Sequence, residues 1–397
     1  MVNDTAIYGF ISYEIWSDFL ALFNLYPLKK YMNKGLVVVQ QYLSWKGHYR
    51  QYFENLLNSK YNNLYVSDDD EQYENGTWIK SDFDSEKPLT IKSKIQGRFV
   101  NSYAAYKALG NSHYRVLHLI EFEPLTYLIL RRGFKGKKVL ITIHSSDRLH
   151  FHNWISNKIS GFQRWLLDLS LRHAVKNKAL IITHYQCHKK SIQGIVGDKY
   201  HDQVIVVEYP APKPDSKETK VLKISSSPKF LIYGQIREDK GIFEFLSDES
   251  TKDIDITIAG KIVDKRILEF SNRKNLRIVD KFLSSEEISH LVDSHDFMLL
   301  PYPTHYTNGA GTFKDSLAKA MPVVCSNIPI FEEIIGKYEV GVLFNHPSEI
   351  LSKTSKIRPE EYERLSENCL RYALTFDWNY MRDAYFQLYD QNLAMLD

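Results

Sequence analysis

Cysteine is scarce in this chain. Cys187, Cys325 and Cys369 are the only three in 397 residues, and they stand far apart, in no CxxC or cysteine–histidine ligand spacing. That excludes a zinc ligand set and a disulfide framework, and it fits a reducing compartment. Long apolar runs are missing too, and none would span a bilayer. The first residues lack the positive start and small-residue cleavage site of a signal peptide, so a cytoplasmic protein is expected. There are no internal repeats and no low-complexity tracts. No basic helix with interleaved aromatics occurs either, which argues against nucleic acid as a partner.

What the chain does have is size, aromatic residues and an uneven charge. Its length exceeds what one hydrophobic core usually supports, so two domains are expected. Hydrophobic residues at 44% and charged residues at 25% are an ordinary soluble balance. Aromatics reach 13%, with 26 tyrosines, which suits sugar-facing surfaces and a large core alike. The net charge of +3 hides an asymmetry: residues 1–210 hold 27 lysines and arginines against 19 acids, and residues 211–397 hold 24 against 29. The basic half has one cluster, Arg131-Arg132-Gly133-Phe134-Lys135-Gly136-Lys137-Lys138. Such a surface suits an anionic acceptor, or peripheral contact with a membrane carrying acidic lipids at the inner face of the plasma membrane. Residues 6–26 are aromatic and apolar but carry Glu14 and Asp18. They read as an amphipathic helix, packed on the domain or resting in a membrane interface.

Along the chain, short apolar runs alternate with helical patterns. Strands are expected at 35–40, 114–120, 138–143, 179–183 and 203–207, with a helix over 49–57 and an acidic, irregular or short-stranded insertion at 64–90. A Pro/Lys/Ser-rich stretch at 209–228 marks a linker. The alternation then restarts, with strands at 229–233, 254–259, 276–279, 297–301 and 322–325 and helices at 241–246, 284–293, 312–320 and 329–335. The fold class is therefore α/β, as two tandem Rossmann-like doubly wound domains facing across a cleft. The expected boundaries are 1–34 for an N-terminal helical extension, 35–210 for the first domain and 211–228 for the linker. The second domain follows at 229–375, and a C-terminal helix at 376–397 crosses back to the first.

Two turns of the second half carry chemistry. Tyr233-Gly234 ends a strand and leads through Arg237 and Lys240 into a helix. Leu300-Pro301-Tyr302 ends another and leads through Asn308-Gly309-Ala310-Gly311-Thr312 into a second helix. A diphosphate needs fixed cations and backbone N–H groups that approach closely. Arg237 and Lys240 are the cations, and the glycines leave room for a phosphate at a helix N-terminus.

Six pieces of this half resemble the nucleotide-sugar-binding domain of GT-B glycosyltransferases of the large family-four, "group 1" branch. They are Tyr-Gly-Gln-Ile-Arg-Glu-Asp-Lys-Gly (233–241), Ile-Ala-Gly-Lys (258–261), Leu-Pro-Tyr (300–302), Asn-Gly-Ala-Gly-Thr (308–312), Pro-Val-Val-Cys-Ser (322–326) and Pro-Ile-Phe-Glu-Glu-Ile (329–334). Looser matches are Trp45-Lys46-Gly47-His48-Tyr49, Thr142-Ile143-His144-Ser145 and Phe376-Asp377-Trp378. The resemblance implies a sugar transferred from a UDP- or GDP-sugar to a glycan or lipid-linked glycan acceptor, in cell-surface polysaccharide synthesis. It implies donor binding by Gly234, Arg237, Lys240, Asn308, Gly309, Gly311, Thr312 and Asp315. Glu332, or its neighbour Glu333, would hold the ribose. His144 would be the histidine that meets the transferred sugar. Gly47, His48 and Tyr49 would line the acceptor side of the first domain.

The family's paired glutamates, seven residues apart, fall here at Thr307 and Asp315, so the first is absent and the second shortened. Glu123, Asp147 and Glu121 are candidate bases should the reaction invert configuration. No Asp-x-Asp motif stands at a strand end (Asp68-Asp69-Asp70 lies in the acidic insertion), so no metal and no other cofactor is expected. The alternatives are a nucleotide-sugar 2-epimerase of similar architecture and a non-catalytic GT-B binding module.

Overall fold

The computed structural model describes residues 36–40, 48–57, 61–67, 76–80, 91–144, 157–214, 227–307, 309 and 311–395. The 6–26 segment, Gly47, Asp68–Asp70, Asp147 and Asn308 lie outside them. By contacts the chain forms two compact units, taken over their described residues. One is Met1–Thr142, Phe151–Ile181 and Tyr389–Asp397; the other is Ile143–His150 and Ile182–Leu388.

The first sheet holds β1 (Leu36–Gln40), β2 (Asn62–Ser67), β3 (Gly76–Lys80), β4 (Val116–Leu119), β5 (Lys138–Ile143), β6 (Leu180–Thr183) and β7 (Val204–Val206). Their order is β3-β2-β1-β4-β5-β6-β7, and β1 pairs in parallel with both β2 and β4. The acidic stretch is thus short-stranded, supplying β2 and β3. Helices α1 (His48–Leu57), α2 (Ile91–Gly110), α3 (Pro124–Leu130), α4 (Asn157–Lys176) and α5 (Gln186–Val196) connect these strands.

The second sheet holds β8 (Lys229–Tyr233), β9 (Asp255–Gly260), β10 (Leu276–Asp280), β11 (Phe297–Leu300), β12 (Val323–Ser326) and β13 (Gly341–Phe344). Its helices are α6 (Ile242–Ser247), α7 (Ser285–Ser294), α8 (Gly311–Ala318), α9 (Pro329–Tyr338), α10 (Glu349–Thr354) and α11 (Pro359–Thr375), and α12 (Trp378–Ala394) ends the chain. Order β10-β9-β8-β11-β12-β13 with parallel pairing throughout is a doubly wound sheet.

The apolar runs explain themselves by period two. Leu231, Met298, Leu300, Val323 and Cys325 face one core with Phe313 and Leu317 of α8 and Phe331 of α9. Their sequence neighbours Phe230, Ile232, Phe297, Leu299 and Val324 face the other with Ile242 of α6. Strands buried on both faces read as continuous hydrophobic stretches. Strand order reverses between β8 and β11, and a doubly wound sheet opens its ligand crevice beyond the strand ends at that point. The turns through Arg237 and Lys240 and through Gly309 and Gly311 follow those two strands.

Candidate functional site

The site starts from backbone that only glycine can form. Gly234, directly after β8, has φ +106°, and Gly260, the last residue of β9, has φ +138°. A Cβ on Gly260 would lie 1.9 Å from the Gly234 carbonyl oxygen, so the two strand ends touch backbone to backbone. The turn is pinned further by the Ile236 N–H, which donates to the Lys261 carbonyl at 2.9 Å. From the β11 side, Tyr302 reaches forward so that its hydroxyl meets Thr312 Oγ1 at 3.3 Å. The two turns then meet: a Cβ on Gly234 would lie 3.1 Å from Thr312 Cγ2 and 3.8 Å from Lys240 Nζ. Gly234, Lys240 and Thr312 are brought together. Thr312 sits in the first turn of α8, where N–H groups have no intrahelical partner and the helix dipole favours an anion.

Lys240 is buried, 8% exposed, over the Tyr302 ring at 5.9 Å. Among the described residues its ammonium makes no hydrogen bond and no ion pair. Burial first, and the charge of Arg237 second, lower it to about 8, while Asp239 and Asp315 pull the other way. Asp315, half-buried on α8, is pushed up to about 6 by burial, against Lys319 and Lys240. Two polar atoms near these strand ends are buried without a partner among the described residues, Tyr233 Oη and Thr307 Oγ1. Arg237 differs: its guanidinium forks onto Asp239 at 2.9 and 2.8 Å, and that pairing raises it.

The adjacent glutamates on α9 separate cleanly. Glu333 accepts from the Gln186 and Cys187 N–H groups at 2.7 and 2.9 Å, capping α5 bidentately. Glu332 is exposed in the first turn of α9 with no side-chain partner among the described residues. Gly309 lies against the N-cap residue of α5: a Cβ there would be 3.3 Å from the Tyr185 hydroxyl. His188 supports the same loop, with Nε2 donating to the Thr307 carbonyl at 2.9 Å. Gly311 opens α8 with nothing within 4 Å of a built Cβ.

His144 follows β5 and stands 3.1 Å from His184 Nε2 through its own Nδ1. His184 is buried and packs edge-on against Tyr209, ring centroids 5.3 Å apart. Burial first, and the charge of Asp315 second, raise Tyr209. Glu123 does different work. It is the N-cap of α3, its carboxylate accepting from Leu125 and Thr126 N–H at 3.3 and 2.6 Å, while its own N–H donates to the Tyr106 hydroxyl. His48 and Tyr49 open α1. In the basic cluster, Lys137 donates to the Ser112 and Tyr114 carbonyls and Lys138 to that of Lys178, while Arg132 and Lys135 are exposed. Among the described residues no three His, Cys, Asp or Glu side chains gather as a metal site would need, and no helix is long and apolar enough to cross a membrane. His184, Tyr209 and Tyr233 were not singled out from sequence, although Tyr233 directly precedes the glycine that was.

No protein-family model and no curated protein matches the sequence. Solved structures do match the fold. Sucrose-phosphate synthase of Thermosynechococcus elongatus superposes with a TM-score of 0.68 at 15% identity, over 91% of this chain and 100% of that one. The chain has the GT-B glycosyltransferase fold. A glycosyltransferase of Rickettsia africae gives a TM-score of 0.63 at 16% identity, over 91% and 99% of the two chains. Anabaena HepE, in complex with UDP, gives 0.62 at 10%, over 90% and 100%. The resemblance carried by the turn residues is therefore borne out as a likeness of fold, and in this GT-B chain the convergence at Gly234, Lys240 and Thr312 falls at the switch point of the second sheet.

Proposed function

We propose that the chain is a glycosyltransferase that moves a sugar from a UDP- or GDP-sugar to a glycan or lipid-linked glycan acceptor, in the synthesis of cell-surface polysaccharide. One observation carries this: Lys240 is 8% exposed, its ammonium has no hydrogen bond or ion pair among the described residues, and it stands beside Gly234 and the first turn of α8. A buried cation without an anion is costly, and a bound diphosphate removes that cost. Lys240, the first-turn N–H groups of α8 and Thr312 would hold the diphosphate and stabilise the charge that develops on the leaving nucleoside diphosphate. Glu332 would take the ribose hydroxyls, Asp315 and His144 the sugar, and the first domain, around Gly47, His48 and Tyr49, the acceptor. Fixed cations and N–H groups would meet the phosphate charge without a metal, so chelator leaves activity unchanged. UDP is the first donor nucleotide to try, because HepE is seen with UDP and with UDP-glucose.

A thermal-shift panel of UDP, GDP, ADP and their sugar conjugates tests the reading. A ligand that binds only the folded state raises the melting temperature, and Lys240→Met abolishes the rise. No shift with any nucleotide would remove the reading's main support. A setting in the cytoplasm, with the basic first half against anionic lipid, belongs to the same proposal. Equal recovery from anionic liposomes, neutral liposomes and buffer refutes that part.

A further inference from the structure

We propose that His184 is a positioning residue that holds His144 as the Nδ1–H tautomer, so that His144 meets the donor sugar through Nε2 as a hydrogen-bond acceptor. What concerns the sugar rests on the transferase reading above; the tautomer does not.

The argument runs outward from a backbone carbonyl. Val207 follows β7, and its N–H donates to the Thr183 carbonyl at 2.9 Å, which fixes the peptide against β6. The Val207 carbonyl oxygen lies 2.9 Å from His184 Nδ1. A carbonyl has lone pairs only, so the proton of this contact sits on Nδ1 of His184. A neutral imidazole carries one ring proton, which leaves His184 Nε2 with its lone pair. His144 Nδ1 is 3.1 Å from that nitrogen. Two lone pairs cannot face each other at this distance, so His144 Nδ1 carries the proton and donates it. With both rings neutral, the proton-free nitrogen of His144 is therefore Nε2.

Direction is fixed by chemistry and orientation by packing. His184 is 1% exposed, and the Tyr209 ring packs T-shaped with it at an interplanar angle of 80°. The two histidine rings lie 5.1 Å apart at 36°. His184 thus acts on His144 as the outer partner of a metal-bound histidine acts on its ligand, setting tautomer and ring plane. A lone histidine after a strand more often serves only to satisfy itself. Here it is the second ring, ending on a carbonyl, that gives the first a defined acceptor nitrogen.

The test reads the tautomer directly. Long-range proton–nitrogen correlation spectra of the ¹⁵N-histidine-labelled protein should show His144 with a protonated Nδ1 and a bare Nε2. His184→Phe keeps ring volume without an acceptor, and should move His144 toward Nε2–H. His184→Gln returns a carbonyl oxygen to accept from Nδ1, and should restore the wild-type pattern. The phenylalanine variant should lose about 10- to 100-fold in kcat, by analogy with removing the outer partner of a metal-bound histidine, with donor KM unchanged and glutamine restoring the rate. An equal UDP-induced rise in melting temperature across all three proteins shows that the donor site is folded. Wild-type His144 found as Nε2–H overturns the proposal whether or not either variant folds, and so does an Nδ1–H tautomer that persists in His184→Phe. A changed tautomer with kcat unchanged overturns the part concerning the sugar. Failure of every nucleotide to shift the melting temperature counts against the transferase reading and leaves the tautomer result standing.

Discussion

Replacing Lys240 by methionine should make the unliganded protein more stable while removing nucleotide binding. The folded protein lowers this ammonium from its ordinary 10.5 to about 8, which amounts to about 3 kcal/mol by which folding disfavours the charge. Methionine keeps an unbranched apolar stem only one atom shorter and carries no charge to desolvate. The lost cation–π contact at 5.9 Å gives back about 0.5–1 kcal/mol. The net gain is about 2 kcal/mol, or about 4–8 °C in melting temperature for a domain of this size. pH supplies an internal check. Because the folded value lies below the unfolded one, the unfolded chain holds the proton between about pH 8 and 10.5 while the folded protein has released it. Wild-type stability therefore rises with pH across that window, and the variant lacks this rise. Scanning calorimetry at pH 7.5 and 10, with and without UDP, reads all of this. At a hundredfold excess over Kd, UDP should stabilise the wild type by about 2.7 kcal/mol and the variant not at all. A variant less stable than wild type would refute the burial argument, and one still stabilised by UDP would refute the assignment of Lys240 to the phosphates.

The neighbouring residues give sharper contrasts. Glu333→Gln should cost about 1–2 kcal/mol in chemical denaturation by weakening the bidentate cap on α5 and leave the UDP shift intact, whereas Glu332→Gln should leave stability unchanged and weaken UDP. Gly260→Ala forces a Cβ to within 1.9 Å of the Gly234 carbonyl, so about 1–3 kcal/mol of stability and the UDP shift are lost together. Gly336→Ala on α9, with nothing within 4 Å, should instead gain about 0.5–1 kcal/mol. Lys314 is buried on α8 with its ammonium on Glu208 at 3.0 Å and on the Tyr372 hydroxyl. Glu208→Gln should cost about 3–5 kcal/mol by stranding that charge, and adding Lys314→Met should recover most of it. Finally, UDP binding at pH 7 should take up protons, because the arriving anion raises both Asp315 and Lys240. Titration calorimetry in two buffers of different ionisation heat measures the uptake, and Asp315→Asn should reduce it.

Much of the second sheet was legible because its strands are buried on both faces and read as unbroken apolar runs, as Phe230–Tyr233 and Phe297–Leu300 do. The turns after them were legible because Gly234 and Gly311 punctuate the pattern at strand and helix ends. β13 and α10 were not read, although Gly341-Val342-Leu343-Phe344 is a short apolar run with a glycine at its head. The helix after the second turn begins at Gly311, one residue before the expected start, which puts Thr312 inside the first turn. Pairings across long sequence distances were beyond sequence reading. Nothing local says that Glu333 rather than Glu332 reaches Gln186, because that choice depends on how α9 is rotated against α5. The same holds for His184, whose meaning comes from a carbonyl at Val207 and a ring at His144.

The division of labour between the two cations follows from what each already holds. Arg237 spends both sides of its fork on Asp239, two residues away, and it is about half exposed. A phosphate that recruited it would have to displace a carboxylate already bound in bidentate geometry, so the gain is only the difference between two anions. Lys240 has no such partner among the described residues and is held in a setting that penalises its charge, so a phosphate there displaces no anion and offsets part of that penalty. In the proposed donor site the lysine therefore supplies the affinity. The Arg237–Asp239 pair sets the shape of the turn and the local field, and Asp315 brings a negative charge that protonation can remove.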